Sequence, residues 1–204
     1  MESDITSRLT RLRDKLARLR ELDSACALFG ASAHGYRLGP VLEEAELVAF
    51  ETRLGVNLPT EYRQFLKHVG HGGAGPYYGL FPLDGSDSED ITEPEQTRNA
   101  FRWTESVNPT ECEDPCGQED VWCDEGENPQ VILRVPGALY ICHYGCALRF
   151  FLVANGLSLG EVWMDRQADN DGLHPVSGED GRRLGFLDWY ERWLDEGISS
   201  SGQG

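Results

Sequence analysis

The sequence predicts an α+β fold, in which an open antiparallel sheet is flanked by helices. Helical periodicity of apolar residues dominates segments 1–23, 43–69 and 184–196, and residues 24–41 between the first two predict a loop. Between them, over residues 131–176, short apolar runs alternate with turn residues, a pattern typical of strands in a meander. Helices first, strands in the middle and a helix last is the order expected when helices pack on one antiparallel sheet.

A long amphipathic helix is predicted at the N-terminus, over residues 1–23. Apolar residues recur there every three or four positions and so share one face, whereas Arg and Lys occupy the other faces. The apolar face consists of Ile5, Leu9, Leu12, Leu16, Leu19 and Leu22. This stripe must be buried against either the rest of the chain or a second copy. Three heptads are short for a coiled coil, which favours packing of the helix on its own domain.

Two shorter helices and a strand are predicted next. The first helix, 43–54, carries glutamates in its first turn, where they interact favourably with the helix dipole, and Gly55 ends it. Pro59 suits the start of the second helix because proline lacks the N–H that would have no intrahelical partner there. Gly70 closes that helix. A glycine-rich turn and a short strand at 79–83 follow.

The remaining elements are predicted from apolar runs and their flanking turns. Strands are expected at 131–135, 138–142, 148–153, 160–165 and 173–176. The dipeptide Asn155-Gly156 favours a tight hairpin turn between two of them. A short helix is expected within 96–107, and the aromatic residues of 184–196 predict a C-terminal helix.

These elements predict a simple domain organisation. Residues 24–196 are expected to form a single α+β domain, with the helix of residues 1–23 packed on it. Within that domain, residues from about 108 to 130 are rich in Pro, Gly, Asp and Glu and predict a long acidic loop. The polar tail 197–204 is expected to be disordered.

The charge of the chain is strongly negative and unevenly distributed. The net charge is −17, and residues 84–127 alone carry fifteen acidic and two basic groups, which gives −13. Such a surface repels nucleic acid and anionic membranes and attracts basic partners and cations. The alternative interpretation is that the acidic residues serve only solubility.

The six cysteines indicate free thiols more than disulfides or a metal site. The N-terminus lacks the apolar core of a secretion signal, which predicts a cytoplasmic, reducing setting. Zinc stays an open alternative because two groups have loosely suitable spacing. These groups are Cys112, Cys116 and Cys123, and Cys142 and Cys146 with His143.

No motif predicts catalysis or a cofactor. His68 and His71 flank Gly70 without a cysteine or carboxylate at fixed spacing, so a structural role is favoured. Cys142 and His143 are adjacent on a predicted strand and therefore point to opposite faces. The segment 165–172 lacks the alternating acidic positions and closing glutamate of a calcium loop. The residues themselves therefore give no reason to expect a cofactor.

Taken together, the motifs resemble those of the SUKH superfamily, which includes bacterial toxin-immunity proteins and a fungal cell-wall assembly regulator. The resemblance covers about residues 42–83 and 138–196. It rests on Leu54-Gly55, Leu58-Pro59, Tyr62, Phe65-Leu66, Gly70, Gly79-Leu80, Tyr144-Gly145-Cys146, Leu152-Val153, Gly156, Gly160, Val162-Trp163, Phe186, Trp189-Tyr190 and Trp193-Leu194.

This resemblance implies an α+β fold without enzymatic activity that binds and neutralises a cognate protein toxin, often a nuclease. A regulatory or scaffold module without a toxin, like the fungal relatives, is the alternative. The family offers no catalytic residues to transfer.

The acidic loop suggests how a toxin would be bound. A basic nuclease cleft could accept acidic side chains as a substrate mimic, with electrostatic steering of association. The hypothesis assigns this role to Glu111, Glu113, Asp114, Glu119 and Asp120. The expected partner is thus a basic toxin domain, and neither nucleic acid nor a membrane.

Overall fold

The computed structural model describes residues 2–83, 92–108, 121–122, 132–133 and 135–202. Helices and strands in these residues form an α+β fold with an open four-stranded antiparallel sheet, which confirms the predicted class. The helices are α1 (Glu2–Leu22), α2 (Ala31–His34), α3 (Glu44–Leu54), α4 (Thr60–His68), α5 (Pro94–Arg98) and α6 (Phe186–Ser201). The strands are β1 (Val121–Trp122), β2 (Ile132–Leu133), β3 (Ala138–Gly145), β4 (Leu148–Val153), β5 (Val162–Asp165) and β6 (Leu173–Pro175).

The main sheet is a meander in the order β3-β4-β5-β6, and β1 and β2 form a separate antiparallel pair. The predicted strand at 79–83 is reduced to two isolated antiparallel bridges of Leu80, one with Cys142 on β3 and one with Gly73. The next residue, Phe81, donates its N–H to the carbonyl of Ile141 at 3.0 Å. Segment 78–81 therefore runs along β3 and covers that edge of the sheet.

Each face of the sheet has its own hydrophobic core, because successive side chains of a strand point to opposite faces. On β4, Leu152 belongs to the core shared with the helices, whereas Phe151 and Val153 belong to a second core on the outer face. Trp163 of β5 and Phe101 lie in this outer core and are fully buried. The segment 92–108 thus covers the sheet on the side away from α1, α4 and α6.

The leucine stripe of α1 is buried against the same chain. Leu9, Leu12, Leu16 and Leu19 lie in the helix-side core, and α1 packs on α6 and α4. A Cβ at Gly197 of α6 would lie 2.9 Å from Leu19, so a small residue there allows the two helices to approach closely.

Ion pairs follow the same contact between α1 and α6. Lys15 contacts Glu191 at 2.8 Å and Asp195 at 2.6 Å, and Arg11 also donates to Glu191. Hydrogen bonds from Arg11, and then from Lys15, lower the pKa of Glu191 from its ordinary 4.5 to about 2. The basic faces of α1 are thus used to hold α6, in addition to its leucines.

We expect Glu191→Gln to lower the free energy of unfolding at pH 7 by about 1 to 2 kcal/mol, because solvent still reaches and screens the pair. Since the folded protein depresses the pKa of Glu191, its contribution is present above about pH 4.5 and is lost as the pH falls through about 2. Urea unfolding of both proteins at pH 7 and pH 3 measures this difference. Glu196→Gln is the control, because Glu196 is largely exposed in its pair with Arg192. An equal loss in both variants would contradict the prediction.

The signals at the ends of the short helices work largely as predicted. Glu43 and Glu46 form a reciprocal capping box at the start of α3. Gly55 has φ 73° and ends α3 in the left-handed conformation that favours glycine. Pro59 immediately precedes α4, which ends at His68.

Besides the predicted strand at 79–83, three elements differ from the sequence expectations. Helix α5 is short and ends at Arg98, and the chain then continues in irregular form towards Phe101. The dipeptide Asn155-Gly156 lies in an eight-residue connection, 154–161, in which Gly156 bridges Phe101. Helix α6 continues to Ser201, into the tail predicted to be disordered, because Gly197 and Ile198 pack on the core.

No helix within the described residues combines the length and the apolar character needed to cross a bilayer.

Candidate partner-binding surface

The five acidic residues of the predicted partner surface lie outside the residues that the structure describes, as do three cysteines of the zinc alternative. The acidic residues are Glu111, Glu113, Asp114, Glu119 and Asp120. The cysteines are Cys112, Cys116 and Cys123. Their assignment therefore stays a prediction, but the structure describes the points at which the acidic segment joins the fold.

Both ends of the acidic segment join the outer layer of the sheet. At the first end, Val107 exchanges two backbone hydrogen bonds with Leu173 of β6, at 3.0 and 2.7 Å. Asn108 follows, and its side-chain amide donates to the carbonyl of Asn170 at 3.1 Å. At the second end, Val135 is buried in the outer core, and Gly137 donates to the carbonyl of Gln96 at 2.9 Å.

A second acidic segment, 84–91, joins the fold nearby. Before this segment, Leu83 donates its N–H to Nδ1 of His71 at 3.4 Å. After it, the hydroxyl of Thr92 accepts a hydrogen bond from the N–H of Tyr140 at 3.0 Å. Segments 84–91 and 109–134 together carry twelve acidic side chains and one arginine. Most of the net negative charge of the chain, −11 of −17, therefore lies in these two segments.

Beneath this layer, a buried network uses the carboxylate of Asp165. The hydroxyl of Tyr140 donates to Asp165 at 2.7 Å, and the backbone and side chain of Gln167 donate to it at 3.0 and 3.2 Å. Burial raises the pKa of Asp165, and these hydrogen bonds oppose that rise. Asp169 and Asp171 pair with Arg166, so the calcium-like segment forms a turn held by internal contacts.

The candidate reactive side chains are likewise engaged in the fold. Cys142 is fully buried and donates to the carbonyl of Pro76 at 3.1 Å, and burial raises its pKa well above the ordinary range. His143 stacks on Phe81, whereas Cys146 is exposed in the turn between β3 and β4. Among the described residues, no three Cys, His, Asp or Glu side chains are grouped so that they could hold a metal ion.

The structure also brings together an exposed aromatic surface that the sequence did not predict. This aromatic platform consists of the exposed rings of Phe29 and Tyr78 and the half-buried ring of His143. The ring centroids of Phe29 and Tyr78 are 5.5 Å apart, and those of Tyr78 and His143 are 5.3 Å apart. Tyr78 lies against the backbone of Gly145, where a Cβ would come within 2.9 Å of its ring.

The signal for this platform in the sequence is weak. The pair Tyr77-Tyr78 in a glycine-rich turn indicates that one ring packs inward and the other is exposed. It does not indicate which of the two tyrosines is exposed. Tyr77 is the inward ring, and its centroid lies 4.2 Å from that of Tyr144. Phe29 comes from a loop nearly fifty residues earlier, so only the folded chain shows that it joins Tyr78.

A comparison with protein families identifies the wider group. The SMI1/KNR4 family (SUKH-1) matches residues 42–147, just over half of the chain. The chain belongs to the SMI1/KNR4 family (SUKH-1). The resemblance predicted from the sequence is thereby confirmed at the level of the superfamily. No curated protein and no solved structure matches the chain.

Members of the SUKH superfamily are generally non-catalytic immunity or regulatory proteins, and they are associated with protein toxins as partners. The SUKH-1 match runs from just before α3 to the turn after β3, and so includes both acidic segments and Tyr78. Helix α1 precedes the matched residues and α6 follows them, although both contribute to the helix-side core.

Proposed function

We propose that this protein is a non-catalytic immunity protein that binds a basic toxin domain through an acidic surface and thereby neutralises it. Membership in the SUKH-1 family is the observation that carries the proposal. The concentration of acidic residues in two segments of the chain, 84–91 and 109–134, supports it, because a basic partner is attracted to such segments.

The state of the reactive side chains supports a binding role over catalysis. Cys142 is buried with its thiol bonded to a carbonyl, and Asp165 is bonded to Tyr140 and Gln167. A nucleophile or general base must reach a substrate, and these groups are engaged inside the fold. Among the described residues, the engagement of these groups supports a function carried by the surface of the fold.

Electrostatics supplies the mechanism. A nuclease must bind a polyanion, so its active-site cleft is basic. An acidic segment would be steered into such a cleft and occupy the position of the phosphates, which blocks substrate. Complementary charge raises the association rate above the ordinary range for proteins and makes it sensitive to salt.

A protection assay tests the proposal. Cells carrying an inducible nuclease or other nucleic-acid-modifying toxin domain, first of all any encoded beside this protein, are grown with and without it. We expect survival with one toxin and loss of toxin activity in vitro on addition of the purified protein. Failure to protect against a toxin encoded next to it would contradict the proposal and favour the regulatory or scaffold function.

Reversing the charge of the acidic loop should slow binding to that toxin. The variant replaces Glu111, Glu113, Asp114, Glu119 and Asp120 with lysine. We expect an association rate at least about tenfold lower at low salt, with a flatter dependence on ionic strength, because steering is lost. Stopped-flow or surface-based kinetics with the catalytically inactive toxin measures both.

The matched control reverses the same number of charges elsewhere. It replaces the exposed residues Asp4, Asp14, Glu21, Glu179 and Asp180 with lysine. An equal reduction in both variants would mean that net charge, and not the acidic loop, controls association. Unchanged kinetics in the loop variant would rule out the assigned residues.

A further inference from the structure

We infer that a cavity at the C-terminal end of α1 binds a small molecule that carries a phosphate group. This arginine cavity is lined by the last turn of α1, including Arg20, and by the loop that contains α2 and ends near Arg37. All of its lining residues precede residue 42, where the SUKH-1 match begins. The inference therefore does not depend on the proposed function.

The two arginines of the cavity have charge to offer a ligand. Within the described residues, the side chains of Arg20 and Arg37 make no ion pair and no hydrogen bond, although the chain holds 35 acidic and 18 basic side chains. Exposure alone does not explain this, since Arg182 is 63% exposed and still pairs with Asp188 at 2.8 Å. The dipole of α1 favours a cation in its last turn, but it does not satisfy the N–H donors of the guanidinium of Arg20.

The negative charge of the cavity wall is already satisfied by the fold. Among the described residues that line the cavity, the only carboxylate is that of Asp23, which is 6% exposed. It accepts hydrogen bonds from the N–H groups of Ala27 and Leu28 at 2.7 and 3.0 Å and from the hydroxyl of Tyr36 at 2.6 Å. These three donors stabilise the carboxylate inside the wall, whereas the guanidiniums of Arg20 and Arg37 lie on its exposed side.

The wall of the cavity is formed without a ligand. The hydrogen bond between Tyr36 and Asp23 joins the loop to the end of α1, and the ring of Tyr36 stacks on Trp193 of α6 with centroids 6.4 Å apart. Tyr36 and Cys26 have φ 56° and 52°, a left-handed conformation that is uncommon for residues other than glycine. Such backbone persists where the surrounding structure imposes it, and it clusters at ligand sites. A preformed site loses little conformational entropy on binding.

The chemistry of the lining favours a phosphate over a carboxylate. A phosphate monoester carries nearly two negative charges at pH 7, and guanidinium groups bind its oxygens in pairs. Two arginines match that charge, whereas a carboxylate needs only one. The hydroxyls of Ser24 and Ser32, which also line the cavity, add neutral donors. The volume, about 560 Å³, is that of a small-molecule site and exceeds the need of a phosphate ion, so the ligand has an organic part.

The net charge of −17 does not prevent an anion from binding here. Charges farther away than about 8 Å are largely screened at physiological ionic strength. A bound phosphate interacts with Arg20 and Arg37 at hydrogen-bond distance, where screening is weak. The local guanidiniums therefore outweigh remote carboxylates.

Calorimetric titration of the full chain at constant ionic strength tests the inference. The probes are phenyl phosphate, inorganic phosphate and benzoate, which separate the phosphate group from the organic part. We expect phenyl phosphate to bind with a Kd below about 1 mM. Inorganic phosphate should bind at least about threefold more weakly, because it leaves most of the cavity empty. Benzoate should bind at least about tenfold more weakly, because it carries one charge.

Substitutions of single arginines locate the site. We expect Arg20→Gln and Arg37→Gln each to weaken the binding of phenyl phosphate at least about tenfold, because each removes a charged pair of donors. Arg13→Gln is the matched control. Arg13 is exposed on the same helix, makes no ion pair within the described residues and does not line the cavity. Its variant should bind within about twofold of the wild type, and thermal unfolding verifies that all three variants are folded.

Three results would overturn the inference. The first is the absence of saturable binding of phenyl phosphate up to about 10 mM. The second is an equal loss of binding in Arg13→Gln, which would mean that the anion follows the general charge of α1. The third is benzoate that binds as tightly as phenyl phosphate, which would exclude a phosphate site. None of these results affects the proposed function, and failure to protect cells from a toxin would not affect the cavity.

Discussion

Replacing Trp163 with alanine is expected to lower the free energy of unfolding by about 3 to 5 kcal/mol. Trp163 is fully buried on the outer face of the sheet, where its ring centroid lies 4.8 Å from that of Phe101. It also stacks with Phe151 of the neighbouring strand. Removal of the indole would leave a cavity between the sheet and segment 92–108, which cannot close without moving that segment.

Chemical unfolding followed by far-ultraviolet circular dichroism measures this effect, because tryptophan fluorescence would itself change with the substitution. Leu159→Ala, at a residue that is 59% exposed, is the control and should cost less than about 0.5 kcal/mol. A loss below about 1 kcal/mol for Trp163→Ala would mean that the outer core contributes little to stability. In that case the attachment of the acidic segments would not depend on it.

Replacing Gly79 with alanine is expected to lower the free energy of unfolding by about 2 to 4 kcal/mol and to disturb the aromatic platform. Gly79 has φ 100°, which side chains other than glycine rarely adopt, and an added Cβ would lie 2.2 Å from the carbonyl oxygen of Gly73. Since the atom at 2.2 Å belongs to the backbone and not to a flexible side chain, the turn itself must shift. Tyr78, immediately before it, would shift as well.

Gly181→Ala is the matched control for Gly79→Ala. Gly181 also has a positive φ, 77°, but an added Cβ there would meet no atom within 4 Å. The control should therefore cost only the backbone term, about 1 to 2 kcal/mol. Chemical unfolding of both variants measures the backbone cost, which they share, and the packing cost, which only Gly79→Ala has. Binding of the inactive toxin, under conditions where both variants are folded, measures the effect of the shifted turn. Equal stability of the two variants would contradict the role of close packing at Gly79.

The sheet divides the molecule into two sides with different tasks. On one side, α1, α4 and α6 form the larger core with β3, β4 and β5. On the other side, the outer core supports both ends of acidic segment 109–134. A binding protein benefits from this division, because segments on one side can vary in length and charge while the helix-side core keeps the fold stable.

The elements that were predicted well are those whose cause is local. The stripe of α1, the capping glutamates of α3 and the glycine that ends it depend on residues three or four positions apart. The strands β3 and β4 were found for the same reason, since alternation and turn residues are visible in the sequence. In each case the physical interaction that forms the element acts within a few residues.

The elements that differ depend on contacts between distant residues. Asn155-Gly156 favours a two-residue turn by its own chemistry, yet Leu157 donates to the carbonyl of Phe101 at 3.0 Å and the connection becomes longer. Helix α6 extends past Glu196 because α1, nearly two hundred residues away, covers it. No pattern within a short window contains that information.

By itself the sequence determined the fold class, the amphipathic helices, the superfamily and the concentration of negative charge between residues 84 and 127. These properties follow from composition and from interactions between near neighbours in the chain. Only the tertiary structure decided that both ends of acidic segment 109–134 are attached to the outer face of the sheet, and that the exposed rings of Phe29 and Tyr78 meet the half-buried ring of His143. Exposure and proximity are set by packing between distant segments, because a side chain is buried only when another part of the chain covers it.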